Sequence, residues 1–107
     1  MKIAIMHCRH SSSVCTGAGC FRAYNNCQKN FAQYAGDPPQ LAAFFDCGGC
    51  GIDRTQDPGM IEKMDALKRI GVEKIHLGIC INDKCPSLAD ITRMLDRYGI
   101  DYEFGTH

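Results

Sequence analysis

Short apolar segments alternate along the chain with longer segments of helical periodicity, and this order constrains the fold more than any other feature. Four apolar segments have the length and composition of β-strands, at residues 2–7, 41–46, 74–79 and 101–104. Three segments between them space their apolar residues as helices do, at residues 20–35, 57–70 and 87–98. This order predicts an α/β fold, a small three-layer flavodoxin-like domain with a four-stranded parallel sheet and right-handed crossovers. We expect the strand order 2-1-3-4.

The second and third predicted helices have recognisable start and stop signals. Asp57 can cap free backbone N–H groups, and Pro58 suits the first position of a helix. Ser87 with Asp90 resembles a capping box at the start of the third helix. A glycine follows the last apolar position of each helix and is expected to end it, at Gly71 and Gly99.

Length and charge limit the organisation and the partners of the protein. A chain of 107 residues is the size of one compact domain, so we expect a single domain over residues 1–107. Twelve basic and twelve acidic residues cancel, and no basic stripe is present, which argues against nucleic acid or a membrane surface as partner. The first apolar run is too short for a signal peptide or a membrane span, so we expect a cytoplasmic protein with reduced cysteines.

The tetrapeptide Cys47-Gly48-Gly49-Cys50 directly follows the second predicted strand. Two cysteines at this spacing can bind one thiophilic metal ion, and the glycines permit the tight turn that such a loop needs. Redox dithiols share the spacing but place it at the start of a helix, which the glycines disfavour here. The motif therefore indicates metal ligation, with a redox dithiol as the alternative.

Further cysteines follow the other predicted strands. The first strand ends at Cys8, the third at Cys80, and the fourth near His107. In an open parallel sheet the ligand site lies beyond the carboxyl ends of the strands. Cysteines scattered over the sequence are therefore expected to converge with the Cys47–Cys50 loop at one edge of the sheet.

The remaining four of the eight cysteines lie outside the strands. Cys15 and Cys20 belong to the first loop, where a second metal site and a loop disulfide both remain open. Cys85 precedes the third helix, whose positive end is expected to favour its thiolate. Cys27 lies on the apolar face of the first predicted helix and is interpreted as a core residue.

The whole chain resembles the CGGC domain family, to which metal binding is attributed because of its cysteines and histidine. The resemblance rests on the cysteines after the strands, on the Cys15-Thr16-Gly17-Ala18-Gly19-Cys20 loop, on the central tetrapeptide and on the terminal Gly105-Thr106-His107. His7, His10 and Cys27 lie outside the family pattern. The resemblance implies a metal site with the ligands Cys8, Cys15, Cys20, Cys47, Cys50, Cys80, Cys85 and His107.

These observations favour a metal-binding protein, and the primary ligands are predicted to be Cys47, Cys50, Cys80 and Cys85. Thiolates select zinc, copper(I) or an iron–sulfur cluster. Zinc is preferred from the description of the family, with an iron–sulfur cluster as the alternative cofactor. A thiol-disulfide or cluster-based electron-transfer protein is the alternative function. The protein partner and the number of ions stay open, as does a homodimer that shares the site.

Overall fold

A computed structural model describes residues 1–82 and 85–107, and its centre is one four-stranded sheet. All neighbouring strands pair in parallel, and their order is β2-β1-β3-β4. The predicted α/β class and strand order are therefore confirmed. The strands are β1 (Lys2–His7), β2 (Gln40–Asp46), β3 (Val72–Leu77) and β4 (Asp101–Phe104).

Helices cover both faces of the sheet. The α-helices are α1 (Ala18–Asn25), α2 (Pro58–Ile70), α3 (Ile79–Asn82) and α4 (Leu88–Tyr98), and two 3-10 helices span Ser11–Ser13 and Lys29–Tyr34. Buried residues of α2 and α4 form one core cluster, and those of α1 and the second 3-10 helix form another on the opposite face. The result is the expected three layers. None of the helices in the described residues is both long and apolar enough to span a membrane.

Strand β1 lies at the centre of the hydrophobic core. Ile3 and Ile5 belong to the cluster beside α1, whereas Ala4 and Met6 belong to the cluster beneath α2 and α4. All four residues are fully buried. Alternate side chains of a strand point to opposite faces, so a strand covered on both faces must be apolar throughout, which explains the continuous apolar run.

The single helix predicted over residues 20–35 is divided in two. Helix α1 ends at Asn25, and the 3-10 helix begins at Lys29. Between them the chain turns sharply, with positive φ angles of 50° at Cys27 and 55° at Lys29. Left-handed backbone cannot continue a right-handed helix, so the apolar spacing spans two short elements. The placement of Cys27 on a helix face was therefore wrong, because this half-buried residue lies in the turn.

Strand β3 begins two residues earlier than predicted and ends at Leu77. Gly71 adopts a left-handed conformation that ends α2, and the chain enters the strand at the next residue. The N–H of Gly78 donates to Met6 O at 2.8 Å, and Ile79 then begins the short helix α3. Cys80 therefore lies in α3 rather than at the end of the strand, although it stays beyond the carboxyl edge of the sheet.

The structure confirms some of the predicted helix start and stop signals and contradicts one of them. The side chain of Asp57 accepts a hydrogen bond from the Met60 N–H at 2.9 Å, and Pro58 is the first residue of α2, as predicted. The capping box at Ser87 was wrong, because the Ser87 side chain makes no capping hydrogen bond. Asp90 instead pairs with Arg54 at 2.7 Å. Both left-handed glycines end their helices as expected.

A histidine is fully buried where β3 packs against the second 3-10 helix. His76 Nε2 lies 2.8 Å from Tyr34 Oη, and its Nδ1 lies 3.9 Å from a Glu103 carboxylate oxygen. Burial disfavours the charged ring and lowers the pKa of His76, and the Glu103 carboxylate opposes this only in part. The folded protein therefore holds this imidazole neutral.

We expect the metal-free, reduced protein to lose stability as the pH falls below about 6.5, the ordinary pKa of a histidine. The unfolded chain binds a proton at His76 in that range and the folded chain does not, so protonation favours unfolding. Above the ordinary pKa this contribution to stability is fully present. Urea unfolding measured from about pH 7.5 to about pH 5.5 checks the slope.

The variant His76→Gln removes the titrating ring and is expected to flatten this dependence. The variant His10→Gln changes an exposed histidine and is the matched control, which should keep the wild-type slope. Equal slopes for wild type and His76→Gln would contradict the assignment.

Candidate metal centre

Candidate ligands gather beyond the carboxyl ends of the two central strands and of β2. Cys8 follows β1, and Cys47 follows β2 and donates its N–H to His7 O at 3.0 Å. The N–H of Cys8 in turn donates to Cys80 Sγ at 3.2 Å. Backbone pairing thus brings cysteines from three distant parts of the chain to one edge.

The Cys47–Cys50 loop turns tightly against the core. Gly48 and Gly49 have φ angles of 86° and 108°, which residues with side chains rarely adopt. A Cβ atom at Gly48 would lie 2.7 Å from Ile52 Cδ1 and 2.8 Å from Met60 Sδ. This close approach leaves Cys47 only 2% exposed, whereas Cys50 is exposed to solvent.

A carboxylate supports the start of this loop. The Gly48 N–H donates to Asp46 Oδ1 at 2.7 Å. The same oxygen pairs with Lys63 Nζ of α2 at 3.0 Å. The loop is therefore anchored both to the last residue of β2 and to α2.

No helix begins at the Cys47–Cys50 pair. Residues 47–57 form loops and turns, and α2 starts only at Pro58. A helix N-terminus is therefore not available to activate Cys47 as it activates the first thiol of thioredoxin-type dithiols. The local geometry agrees with the interpretation of the motif as a ligand pair.

Sequence analysis missed Arg54, a buried residue that holds the loop. Its side chain is 2% exposed, and it donates to Cys47 O at 2.9 and 3.2 Å and to Gly49 O at 2.8 Å. It also pairs with Asp90 of α4 at 2.7 Å. Most arginines are exposed, so only its position four residues after Cys50 could have drawn attention to it.

The first set of candidate ligands surrounds Cys85. Burial raises the pKa of the Cys85 thiol, and the nearby thiols of Cys47, Cys50 and Cys8 raise it further. A hydrogen bond from the Ser87 backbone at the start of α4 acts in the expected direction, but burial outweighs it. The start of α4 therefore favours the Cys85 thiolate as expected, although burial leaves the pKa of Cys85 raised. We call these residues the Cys85 group, consisting of Cys8, Cys47, Cys50 and Cys85.

The second set surrounds Cys20, which is buried on α1. Cys20 Sγ lies 3.1 Å from Thr106 Oγ1 and 3.7 Å from His107 Nδ1. Burial raises the pKa of Cys20, the hydrogen bond with Thr106 opposes the rise, and the nearby Cys80 and Cys15 add to it. We call these residues the Cys20 group, consisting of Cys15, Cys20, Cys80 and His107.

The segment that carries His107 is held in place. Gly105 donates its N–H to Leu77 O at 2.7 Å, and Thr106 is fully buried. A Cβ atom at Gly19 would lie 3.0 Å from His107 Nε2, so the imidazole packs directly over the backbone of α1. The ring is thus fixed beside Cys20.

The two groups are defined by which thiols raise the pKa of Cys85 and of Cys20, and they adjoin each other, because Cys80 Sγ accepts from the Cys8 N–H at 3.2 Å. Cys80 is among the thiols that act on Cys20, whereas Cys47 and Cys50 act on Cys85. Within residues 1–82 and 85–107, no three Cys, His, Asp or Glu side chains are placed closely enough to hold one ion. His7 lies outside both groups, because its ring stacks on Phe44 at a centroid distance of 4.4 Å.

Comparison with known proteins gives one family. A family model described as the CGGC domain matches residues 2–107. No curated protein and no solved structure matches the chain. The match spans nearly every residue and confirms the resemblance found in the sequence.

We expect Gly48→Ala to destabilise the metal-free protein by about 2–5 kcal/mol. About 1–2 kcal/mol comes from forcing a side chain into left-handed backbone, and about 1–3 kcal/mol comes from overpacking against Ile52 and Met60. Chemical denaturation measures the free energy of unfolding.

Gly51→Ala is the matched control for this prediction. Gly51 has a φ of 76°, but nothing lies within 4 Å of the Cβ position. Its cost should be limited to the backbone contribution of about 1–2 kcal/mol. Equal losses for the two variants would show that the loop does not pack against the core as described.

Proposed function

The chain belongs to the CGGC domain family, and we propose that it binds thiophilic metal ions through the cysteines gathered at the carboxyl edge of its sheet. The observation that carries this proposal is that Cys8 and Cys47 directly follow two neighbouring parallel strands and that Cys80 Sγ lies 3.2 Å from the Cys8 N–H. Chance placement of cysteines would rarely bring residues 8, 47 and 80, which are far apart in the sequence, to the same edge of a sheet.

The donors suit the group that the proposal requires. Seven thiols and one imidazole are soft or borderline ligands, which favour zinc or an iron–sulfur cluster over magnesium or calcium. One structural zinc ion takes four ligands, so these donors exceed the needs of a single ion. The backbone N–H that reaches Cys80 Sγ provides the outer hydrogen bonding that thiolate ligands commonly receive.

We further propose two sites, one for each group of donors. The Cys85 group supplies four thiols, and the Cys20 group supplies three thiols and an imidazole. Both sets match tetrahedral zinc sites. Binding has to draw the side chains of each group together, since no three described donors are yet within reach of one ion.

Zinc is the metal we propose for these sites, with an iron–sulfur cluster as the alternative. The imidazole in the Cys20 group favours zinc, because most clusters are held by thiolates alone. A bound ion would supply a cross-link between loops that the sheet alone does not join. In a domain of this size such a cross-link adds directly to folding stability.

A thiol-disulfide redox protein is the second candidate function, and one observation favours it. Cys50 is exposed while Cys47 is buried, an asymmetry that suits an attacking thiol and a resolving thiol. The absence of a helix start at residues 47–57 counts against it.

The first test is the metal content of untagged protein purified without oxygen. We expect bound zinc in a colourless protein, and Cys47→Ser with Cys50→Ser should remove about one ion per chain because it halves the Cys85 group. Elemental analysis for zinc, iron and sulfide, together with a visible spectrum, checks both expectations. Cys27→Ser, outside both groups, is the control and should keep the full content.

Unchanged metal content in the double variant would refute the proposed ligands. Brown protein with iron and sulfide would establish the cluster alternative instead. A metal-free wild type with a Cys47–Cys50 disulfide would support the redox function.

The two-site arrangement has a test of its own. The pair Cys20→Ser with His107→Ala should remove one ion and leave the ion of the Cys85 group in place, because the two groups share no ligand. Titration with Co²⁺, followed by its thiolate charge-transfer absorption, counts the sites in each variant. Loss of all metal from either variant would show one shared centre.

A further inference from the structure

Arg54 joins two of the three segments that supply the Cys85 group, the Cys47–Cys50 loop and the start of α4. Its guanidinium binds the carbonyl oxygens of Cys47 and Gly49 within the loop. On the other side it pairs with Asp90 in α4, the helix that follows Cys85. One side chain therefore sets the distance between the loop and the start of α4.

The guanidinium of Arg54 is buried, so its contacts have to offset the cost of removing a charge from water. A guanidinium loses its water when buried, and only good pairing offsets that cost. Within residues 1–82 and 85–107, Arg54 pairs with one carboxylate, that of Asp90, whose side chain is 38% exposed. Its remaining hydrogen bonds go to the loop backbone, so the charge is used to hold the loop.

The hydrogen bonds also orient the peptide groups beside the thiols. In a planar trans peptide the N–H points opposite to the C=O. Because Gly49 O points to Arg54, the Cys50 N–H points away from it. The Gly48 carbonyl is bound from outside by Arg9 at 3.3 Å, so three successive carbonyl oxygens of the loop accept from arginines.

We propose that Arg54 is a positioning residue that fixes the Cys47–Cys50 loop against α4 and thereby preorganises the Cys85 group for metal. This inference rests on the proposed metal-binding function. Arg54 touches no metal in this arrangement and acts through the backbone of the ligands. Lysine cannot replace it, because a single ammonium group lacks the planar fork that reaches two carbonyls and a carboxylate together.

The experiment compares Arg54→Lys, Asp90→Asn and the control Arg93→Lys. Arg93 contacts the same Asp90 at 3.9 Å but is 68% exposed, so its replacement disturbs neither the loop nor the core. Asp90→Asn keeps Arg54 and its bonds to the loop, which provides a milder variant should Arg54→Lys fold poorly. Zinc affinity is measured by competition with a chelator at fixed pH.

We expect Arg54→Lys to weaken zinc binding at the Cys85 group by about 10–100-fold, the range found for residues that orient metal ligands. Asp90→Asn should weaken it in the same direction, and Arg93→Lys should match wild type. The Cys20 group is the internal control. A purely structural loss would lower the affinity of both groups, whereas a positioning role lowers only that of the Cys85 group.

A wild-type affinity at the Cys85 group in both Arg54→Lys and Asp90→Asn would overturn the inference. Equal losses at the two groups would overturn it as well, because they indicate a structural role alone. Amide hydrogen exchange of metal-free protein separates this result from a failure of the proposed function. If wild type binds no zinc, faster exchange at Gly49 and Cys50 in Arg54→Lys alone supports the positioning role, and unchanged exchange refutes it.

Discussion

The parallel pairing of β1 with both of its neighbours is the constraint on which the rest of the structure depends. It aligns the ends of three strands, and its last hydrogen bonds run from Cys47 N–H to His7 O and from Gly78 N–H to Met6 O. Each of these bonds lies within two residues of a candidate ligand. The register of the sheet therefore fixes where Cys8, Cys47 and Cys80 stand relative to one another.

Beyond that edge, charged groups add to the apolar packing that holds the loops. Arg54 and Arg9 bind loop carbonyls, and Asp46 binds a loop N–H. A loop with two left-handed glycines has high conformational entropy when unfolded, so it needs this polar anchoring in addition to its packing against the core. The fixed loop then presents one buried and one exposed thiol in a defined orientation.

The sequence predicted most of the fold, because the two signals used, apolar runs and helix-ending glycines, are local. Apolar runs marked the strands, and glycines marked the helix ends at Gly71 and Gly99. The division of the first helix escaped prediction, since nothing in the composition of residues 20–35 reports the positive φ angles at Cys27 and Lys29. The start of β3 was misplaced because a one-residue connection after α2 gives no loop signature.

The sequence predicted which cysteines follow the strands but not how their side chains are arranged. Cys8 and Cys47 directly follow β1 and β2 as expected, whereas the proposed division into two groups depends on side-chain directions that spacing does not encode. The role of Arg54 could not be predicted from the sequence, because it also depends on side-chain directions. The structural role of an arginine can be recognised only when its partners are known, and those of Arg54 are residues 47, 49 and 90.

His107 shows how the fold can place a candidate ligand at a position where the sequence alone gives no reason to expect order. Chain termini are ordered when backbone bonds and burial hold them. Here Gly105 continues the pairing of β4 through Leu77 O, and the Thr106 hydroxyl lies 3.0 Å from His107 Nδ1. The lack of a side chain at Gly19 admits the ring against α1. The position of His107 next to Cys20 thus depends on the small residue Gly19 in α1 and on the hydrogen bonding that follows strand β4.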